Sequence, residues 1–214
     1  MISDDYLLKV IVLGAGKSER FGDIKLLAKV KLSDDSLCLV EHVLQRISAA
    51  LHVLKINTAN IHITTGRYHQ QISTRLGTDF PLIYCKDANL GLGHTIAESV
   101  KRITSTTSKN KSDVSHIMIT LADQVALETN DYVRLIEKSL KSPAQLICAK
   151  AEQKMMPPAI FPYHYFPDLM TLKGDKGAKA LLHKNKDKLQ TVQMPNALID
   201  IDTKQDLIHW QYKT

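Results

Sequence analysis

Apolar positions along the chain fall into two alternating kinds of stretch. Residues 7–13, Leu-Leu-Lys-Val-Ile-Val-Leu, form a nearly continuous β-branched run, the pattern of a strand buried on both faces of a parallel sheet. A stripe at helical spacing follows, Leu37, Val40, Val43, Leu44, Ile47 and Leu51, with Ser36 expected to open the helix. A second strand is expected over 61–65, closed by Gly66, then a short helix through Ile72 and Leu76 and a third strand over 81–85. Gly91-Leu92-Gly93 opens a helix through Ile96, Val100 and Ile103. Residues 105–115 are polar and aperiodic and read as a flexible surface loop. Residues 116–121 predict a fourth strand. Thr129 or Asn130 would cap the next helix, and 144–149 give a fifth strand. Beyond 150 the pattern loosens. Met155-Met156-Pro157-Pro158 interrupts it; two short helical segments follow, around Leu169 and over 178–183. Strands are then expected near Val192 and over 198–201, before a last helix capped by Thr203 and running through Leu207 and Ile208. Strand and helix alternate from 7 to about 150, which predicts an α/β class with a mainly parallel sheet. One domain, 1–214, is the simplest organisation.

Composition narrows the class. The chain has 214 residues, 44% hydrophobic and 23% charged, enough for a full core and unlike a disordered, collagen-like or coiled-coil chain. Its net charge of +6 suits an anionic partner such as a phosphorylated small molecule, or reflects a solvated basic surface. The basic residues are scattered, with no run of four, so no nucleic-acid partner is expected. Cys38, Cys85 and Cys148 lie far apart without a Cys-x-x-Cys pair, against a disulfide scaffold or a cysteine-rich zinc site and for a reducing, cytoplasmic location. No apolar run approaches the ~20 residues of a membrane span, and residues 1–6 lack the positive flank of a signal peptide.

Three segments carry candidate chemistry. The first is Leu13-Gly14-Ala15-Gly16-Lys17-Ser18-Glu19-Arg20-Phe21-Gly22-Asp23-Ile24-Lys25. A glycine turn at the carboxyl end of a buried first strand presents backbone N–H groups to an anion, and Arg20 and Lys25 add fixed positive charge. The spacing is not a Walker A loop, and Glu19 stands where a Gly-x-Gly-x-x-Gly fingerprint needs its third glycine. The same residues also read as a tight turn with exposed charges. The second segment is Leu121-Ala122-Asp123-Gln124: a carboxylate just past a buried strand sits where open α/β sheets bind ligands, as a Mg²⁺ ligand or as a turn or capping residue. The third is Asp200-Ile201-Asp202-Thr203. On a strand its two carboxylates would share a face and call for a cation, or one residue would cap the last helix. Of nine histidines none forms a His-x-His or His-Glu-x-x-His pattern. His62 and His116 read as core or edge residues, and His94, in the glycine turn, as a candidate ligand contact. No Gly-x-Ser-x-Gly elbow supports serine hydrolysis.

These segments together resemble the MobA-like nucleotidyltransferases, most closely the molybdenum cofactor cytidylyltransferase branch. The loop LGAGKSERFGDIK is similar to that family's Leu-Ala-Ala-Gly-x-Ser-x-Arg-Phe/Met-Gly-x-x-Lys. Ile63-Thr64-Thr65-Gly66, Gly91-Leu92-Gly93-His94-Thr95-Ile96 and Leu121-Ala122-Asp123-Gln124 follow in family order. So do Pro158-Ala159-Ile160-Phe161, Leu172-Lys173-Gly174-Asp175-Lys176-Gly177-Ala178 and Asp200-Ile201-Asp202-Thr203 with Asp206-Leu207. The chain departs from the family at Gly14, Thr95, Val125, Lys204 and over 153–157, so the nucleotide half matches more closely than the acceptor half.

The resemblance implies a Rossmann-like, doubly wound nucleotidyltransferase fold, with a nucleotide half at about 7–125 and a smaller, irregular α+β acceptor-side region at about 126–214. It implies nucleotide binding by Leu13, Gly14, Ala15, Gly16, Ser18, Gly66, Gly91 and Thr95, catalysis by Arg20 and Lys25, and Mg²⁺ held by Asp123 with Asp202 or Asp200. The implied reaction moves CMP from CTP to a phosphorylated acceptor such as molybdopterin, releasing pyrophosphate, with onward delivery to a molybdoenzyme or its chaperone. CTP is favoured over GTP because Ala15 stands where the guanylyl branch tends to have glycine. Two other classes are weighed: a non-catalytic nucleotide-binding regulator on the same fold, and a dinucleotide-dependent oxidoreductase. The second is disfavoured because Thr64-Thr65-Gly66 supplies no acidic residue at the end of the second strand.

Overall fold

Leu8, Val10 and Val12 of the first strand, β1 (Leu8–Leu13), pack into one hydrophobic core, while Ile11 and Leu13 pack into another on the opposite side. Two-sided burial requires an apolar residue at nearly every position, which accounts for the unbroken run. The computed structural model describes residues 6–32, 35–105, 114–175 and 177–213, so most of the polar stretch 105–115 lies outside the described residues.

In chain order β1 is followed by β2 (Lys29–Leu32), β3 (Asp35–Cys38), α1 (Leu39–Val53), β4 (Ile61–Thr65), α2 (His69–Leu76), β5 (Leu82–Tyr84) and α3 (Leu92–Ser105). Then come β6 (His116–Leu121), α4 (Thr129–Lys141), β7 (Ile147–Ala151), β8 (Lys154–Pro162), α5 (Phe166–Met170), α6 (Lys179–Lys184), β9 (Gln190–Gln193) and α7 (Lys204–Lys213). Seven described strands form one sheet in the order β5-β4-β1-β6-β8-β7-β9. All neighbours are parallel except β8, which runs antiparallel to both β6 and β7. Buried residues of α1, α2, α4 and α7 belong to the core on one face, and those of α3, α5 and α6 to the core on the other. This is the mainly parallel α/β sheet expected from the alternation, doubly wound as the resemblance implies. β1 lies where the strand order reverses, the position at which such sheets open a ligand crevice.

Several local expectations are corrected. Ser36 and Leu37 belong to a β2–β3 hairpin rather than to a helix. The period-two alternation Lys29-Val30-Lys31-Leu32 is the strand signal that the helical stripe overshadowed. α1 begins after Cys38, whose backbone N–H donates to Glu41 Oε2 at 2.8 Å, a capping box at the hairpin's end. α4 is capped by Glu128, paired with Asp131, rather than by Thr129 or Asn130. Met155-Met156-Pro157-Pro158 does not interrupt the sheet but lies inside its longest described strand, β8. The prolines are tolerated because the β7–β8 register steps from Cys148↔Ala159 to Ala149↔Met156, leaving Pro157 and Pro158, which lack N–H donors, at a bulge. Residues 198–201 are not a strand; a 3₁₀ turn, Pro195–Leu198, leads into irregular chain before α7.

Candidate active site

The loop after β1 is shaped by close packing. Gly14 N–H donates to Thr64 Oγ1 at 3.0 Å, and a Cβ at Gly14 would lie 2.9 Å from the Thr64 carbonyl oxygen. Phe21 and Leu26 are buried and pin the loop at two points, and Lys25 opens a 3₁₀ turn, Lys25–Leu27. Leu13 of β1 is in register with Leu121 of β6, so the chain leaves both strands side by side and Asp123 emerges next to the glycine loop. Gln124 fixes that exit. Its buried side chain donates to the carbonyls of Pro157 at 2.9 Å and Ala197 at 3.3 Å, tying β6 to β8 and to the segment that leads to Asp202. Asp202 is held between the buried Ile201 and the start of α7. There Thr203 N–H donates to Asp206 Oδ2 at 2.7 Å and Asp206 N–H to Thr203 Oγ1 at 3.1 Å, so Thr203 caps the helix as expected.

These elements enclose a cleft of about 550 Å³. Leu13, Ala15, Gly16, Ser18, Arg20, Lys25, Gly91, Thr95, Asp123 and Asp202 all line it. At its floor Lys25 Nζ lies 2.7 Å from Asp123 Oδ2 and 3.6 Å from Asp202 Oδ1, while Arg20 reaches Asp202 at 3.0 Å. Asp123 Oδ1 is buried and accepts no hydrogen bond from the protein. A buried carboxylate oxygen without a partner is costly, and a bound cation would satisfy it. Among the described residues no three His, Cys, Asp or Glu side chains cluster to hold a metal. A divalent cation entering the cleft beside Lys25 would meet the carboxylates of Asp123 and Asp202. That donor set suits Mg²⁺, which takes one or two protein carboxylates and draws its other ligands from substrate phosphates and water.

Three expected site residues lie elsewhere. Gly14 is a packing position beneath the loop. Gly66 lines an adjoining hollow of about 300 Å³, and a Cβ there would lie 2.9 Å from the Ala15 carbonyl oxygen; it shapes the loop from outside the cleft. Asp200 lines a separate hollow of about 390 Å³ with Trp210 and His209. Its carboxyl pKa is pushed up to about 6, first by the protein packed around it and then by the charges of Asp123 and Asp202, against the pull of Lys25 and Lys179. Histidines 62 and 116 are structural: His62 Nδ1 bonds the Asn60 carbonyl, and His116 Nε2 donates to the Pro143 carbonyl at 2.8 Å. His94 Nδ1 accepts from Gly174 N–H at 3.3 Å and so ties the start of α3 to the 173–175 loop.

The cleft also contains residues that received no role from the sequence, among them Lys17, Asn89, Leu92 and Asp175. Asp175 arrives because the 173–175 loop interlocks with the start of α3. Gly93 N–H donates to Gly174 O at 2.7 Å, and Gly91, at φ +109°, leaves the space that Asp175 Oδ1 and Gly174 fill. The spacing of Gly91-Leu92-Gly93 with Gly174-Asp175 was the available signal. Either glycine pattern alone reads as a turn.

Cys38, Cys85 and Cys148 are all buried and unpaired. Burial pushes the Cys85 thiol up to about 11 and the Cys148 thiol up to about 12, so neither is a nucleophile at neutral pH. Among the described residues no helix is long and apolar enough to cross a membrane.

Residues 10–190 match the MobA-like NTP transferase domain. The purine catabolism protein PucB of Bacillus subtilis is 30% identical over 178 residues, covering 83% of this chain and 80% of PucB. Many solved structures share the fold. Rv0371c of Mycobacterium tuberculosis, as its manganese complex, has a TM-score of 0.72 at 17% identity over 97% of this chain and all of that one. Molybdopterin-guanine dinucleotide biosynthesis protein A of Archaeoglobus fulgidus has a TM-score of 0.65 at 14% identity, over 96% of this chain and 97% of that one. With the whole sheet, the glycine loop and both carboxylates inside or beside the matched span, the chain belongs to the MobA-like NTP transferase family, the nucleotidyltransferases built on this fold.

Proposed function

We propose that the protein is a Mg²⁺-dependent cytidylyltransferase that moves CMP from CTP onto the phosphate of a molybdopterin-type acceptor and releases pyrophosphate. The observation that carries this reading is the partnerless Asp123 Oδ1, buried beside Lys25 and Asp202 at the end of the glycine loop. That arrangement fits a metal–triphosphate better than a dinucleotide site, which needs no carboxylate pair.

In this reading residues 7–125 supply the nucleotide half and 126–214 the acceptor side, and the cleft runs between them. Gly16 and Ser18 present the loop to the triphosphate, and Leu13, Ala15, Gly91 and Thr95 border the nucleoside. Asp123 and Asp202 would hold Mg²⁺. Once bound, the ion supplies charge neutralisation across the phosphates. An acceptor phosphate oxygen attacks the α-phosphorus, the bond to the β-phosphate oxygen breaks, and pyrophosphate leaves. Arg20 and Lys25 offset the charge that builds on the phosphoryl oxygens, and positioning with electrostatics supplies the acceleration. The manganese complex of the similarly folded Rv0371c supports a divalent cation in this fold. The product is proposed to pass to a molybdoenzyme or its chaperone, in the cytoplasm, where buried free thiols such as these persist.

Incubation with α-³²P-labelled CTP, molybdopterin and Mg²⁺ tests the assignment. The label is expected in a cytidine dinucleotide of the acceptor. Label that remains in CTP with every phosphorylated acceptor tried would point instead to a nucleotide-binding protein without transfer activity.

A further inference from the structure

Lys25 touches both carboxylates of the proposed metal pair. Its ammonium is 2.7 Å from Asp123 and 3.6 Å from Asp202, and its side chain is only 12% exposed. The backbone at Lys25 is held by the 3₁₀ turn it opens, in which Leu27 N–H donates to the Ile24 carbonyl at 2.9 Å, and by the buried Leu26 that follows, so the flexible four-carbon stem is what can relocate the charge. We propose that Lys25 is the resident cation of this pair, standing where a divalent metal would stand, and that it yields only when metal and nucleoside triphosphate arrive together. The inference rests on the reading of Asp123 and Asp202 as the metal-holding residues.

Charge balance supports the exchange. The four ion-paired side chains of the cleft, Asp123, Asp202, Lys25 and the exposed Arg20, are already neutral as a set. A divalent cation arriving alone would add to the positive charges of Lys25 and Arg20 with no added anion. A triphosphate arriving alone would face two carboxylates. Together they bring their own neutralisation, and the displaced ammonium gains phosphate oxygens in place of the carboxylates. Lys25 is also an incomplete substitute for a metal: it satisfies Asp123 Oδ2 and leaves Oδ1 buried without a partner. The pair is thus held together without metal yet left with an oxygen that a metal would engage. Lys25 would make metal and nucleotide binding cooperative by favouring a state that excludes either ligand alone.

Mn²⁺ binding to the purified full-length chain, followed by water proton relaxation with and without CTP, tests the exchange without any turnover. Wild-type protein is expected to bind Mn²⁺ weakly alone and at least about tenfold more tightly with CTP. Lys25→Met is expected to bind Mn²⁺ alone about tenfold more tightly than wild type, to lose most of the CTP-dependent gain, and to melt at a higher temperature with Mn²⁺ alone. Lys25→Gln, which keeps a polar side chain but no charge, should behave in the same way and covers the case of a Lys25→Met chain that does not fold. Adding Asp123→Asn to either variant should abolish the gain. Unchanged or weaker Mn²⁺ affinity in both Lys25 variants, with normal Mn²⁺ binding in the presence of CTP, would overturn the exchange while leaving the metal pair standing. Absence of Mn²⁺ binding with CTP in every protein would overturn the metal pair, and the exchange with it.

Discussion

Ala122 donates its backbone N–H to the carbonyl of Leu13 at 3.1 Å, and this bond joins the two points at which the chain leaves adjacent strands. One residue beyond it stands Asp123; one residue beyond its partner begins the glycine loop. The segments lie 109 positions apart in the chain numbering, from 13 to 122, yet the parallel register makes them neighbours. An anion cradle and a carboxylate at this spot follow from the sheet itself, since both lie at the carboxyl ends of strands beside the reversal of strand order.

Asp123→Asn is expected to lower turnover by at least ~10²-fold while the fold persists, because a neutral amide binds a divalent cation far more weakly than a carboxylate. Asp202→Asn should fall in the same direction, and Asp200→Asn much less, since Asp200 lies outside the cleft. Steady-state rates at saturating Mg²⁺, with circular dichroism to confirm folding, check this; near wild-type rates for Asp123→Asn would remove the metal assignment.

Arg20 and Lys25 should separate rate from binding. If their contacts tighten as charge builds in the transition state, Arg20→Ala and Lys25→Ala lower kcat more than they raise KM. Arg20 is largely solvent-exposed, so its loss should not disturb the fold. Changes confined to KM would make both residues uniform binders.

The glycines predict a contrast between stability and activity. A Cβ at Gly91 would lie 2.5 Å from Asp175 Oδ1 and from Gly174 C, on a backbone at φ +109°, so Gly91→Ala should cost about 1–3 kcal/mol. A Cβ at Gly16 meets nothing within 4 Å. Gly16→Ala should leave the melting temperature unchanged yet reduce kcat/KM roughly tenfold or more, by intruding where the phosphates are proposed to lie. Paired thermal melts and kinetics read both effects.

Acid should destabilise the fold through buried and half-buried histidines. Burial is the first cause holding His42, His62 and His116 below the ordinary value of 6.5. The unfolded chain therefore binds protons first, and stability present above about pH 6.5 is lost as pH falls through that value towards the lower folded ones. His42 Nε2 donates to the Val125 carbonyl at 3.1 Å, so His42→Gln keeps a donor but cannot gain charge. Its denaturation midpoint should fall less than that of wild type on moving from about pH 7.5 to 5.5. An equal fall in both proteins would clear His42 of the effect.

The sheet was legible because a doubly buried strand writes its burial into consecutive residues, as in β1 and β6. The β2–β3 hairpin was not: its alternation covers only Lys29-Val30-Lys31-Leu32 before a longer helical stripe takes over. β8 was hidden by Pro157-Pro158, since a register step that absorbs two prolines depends on the partner strand. The pairing of Lys25 with Asp123, 98 residues away, and the arrival of Asp175 against Gly91 are tertiary facts that no local spacing encodes. Gly14 and Gly66 read as ligand contacts in the sequence, and the structure shows that packing makes the same demand at both, the absence of a Cβ.

The most direct measurement is acceptor-dependent pyrophosphate release from each of the four nucleoside triphosphates, with molybdopterin and Mg²⁺. Release with CTP is predicted to depend on molybdopterin. Its kcat/KM should exceed that for GTP by roughly 10- to 200-fold, the reach of about 1–3 kcal/mol of contact discrimination at a small pocket wall such as Ala15. Ala15→Gly should narrow that ratio. A GTP value equal to or above that for CTP would contradict the nucleotide assignment, and the absence of acceptor-dependent pyrophosphate release with all four nucleotides would contradict the account as a whole.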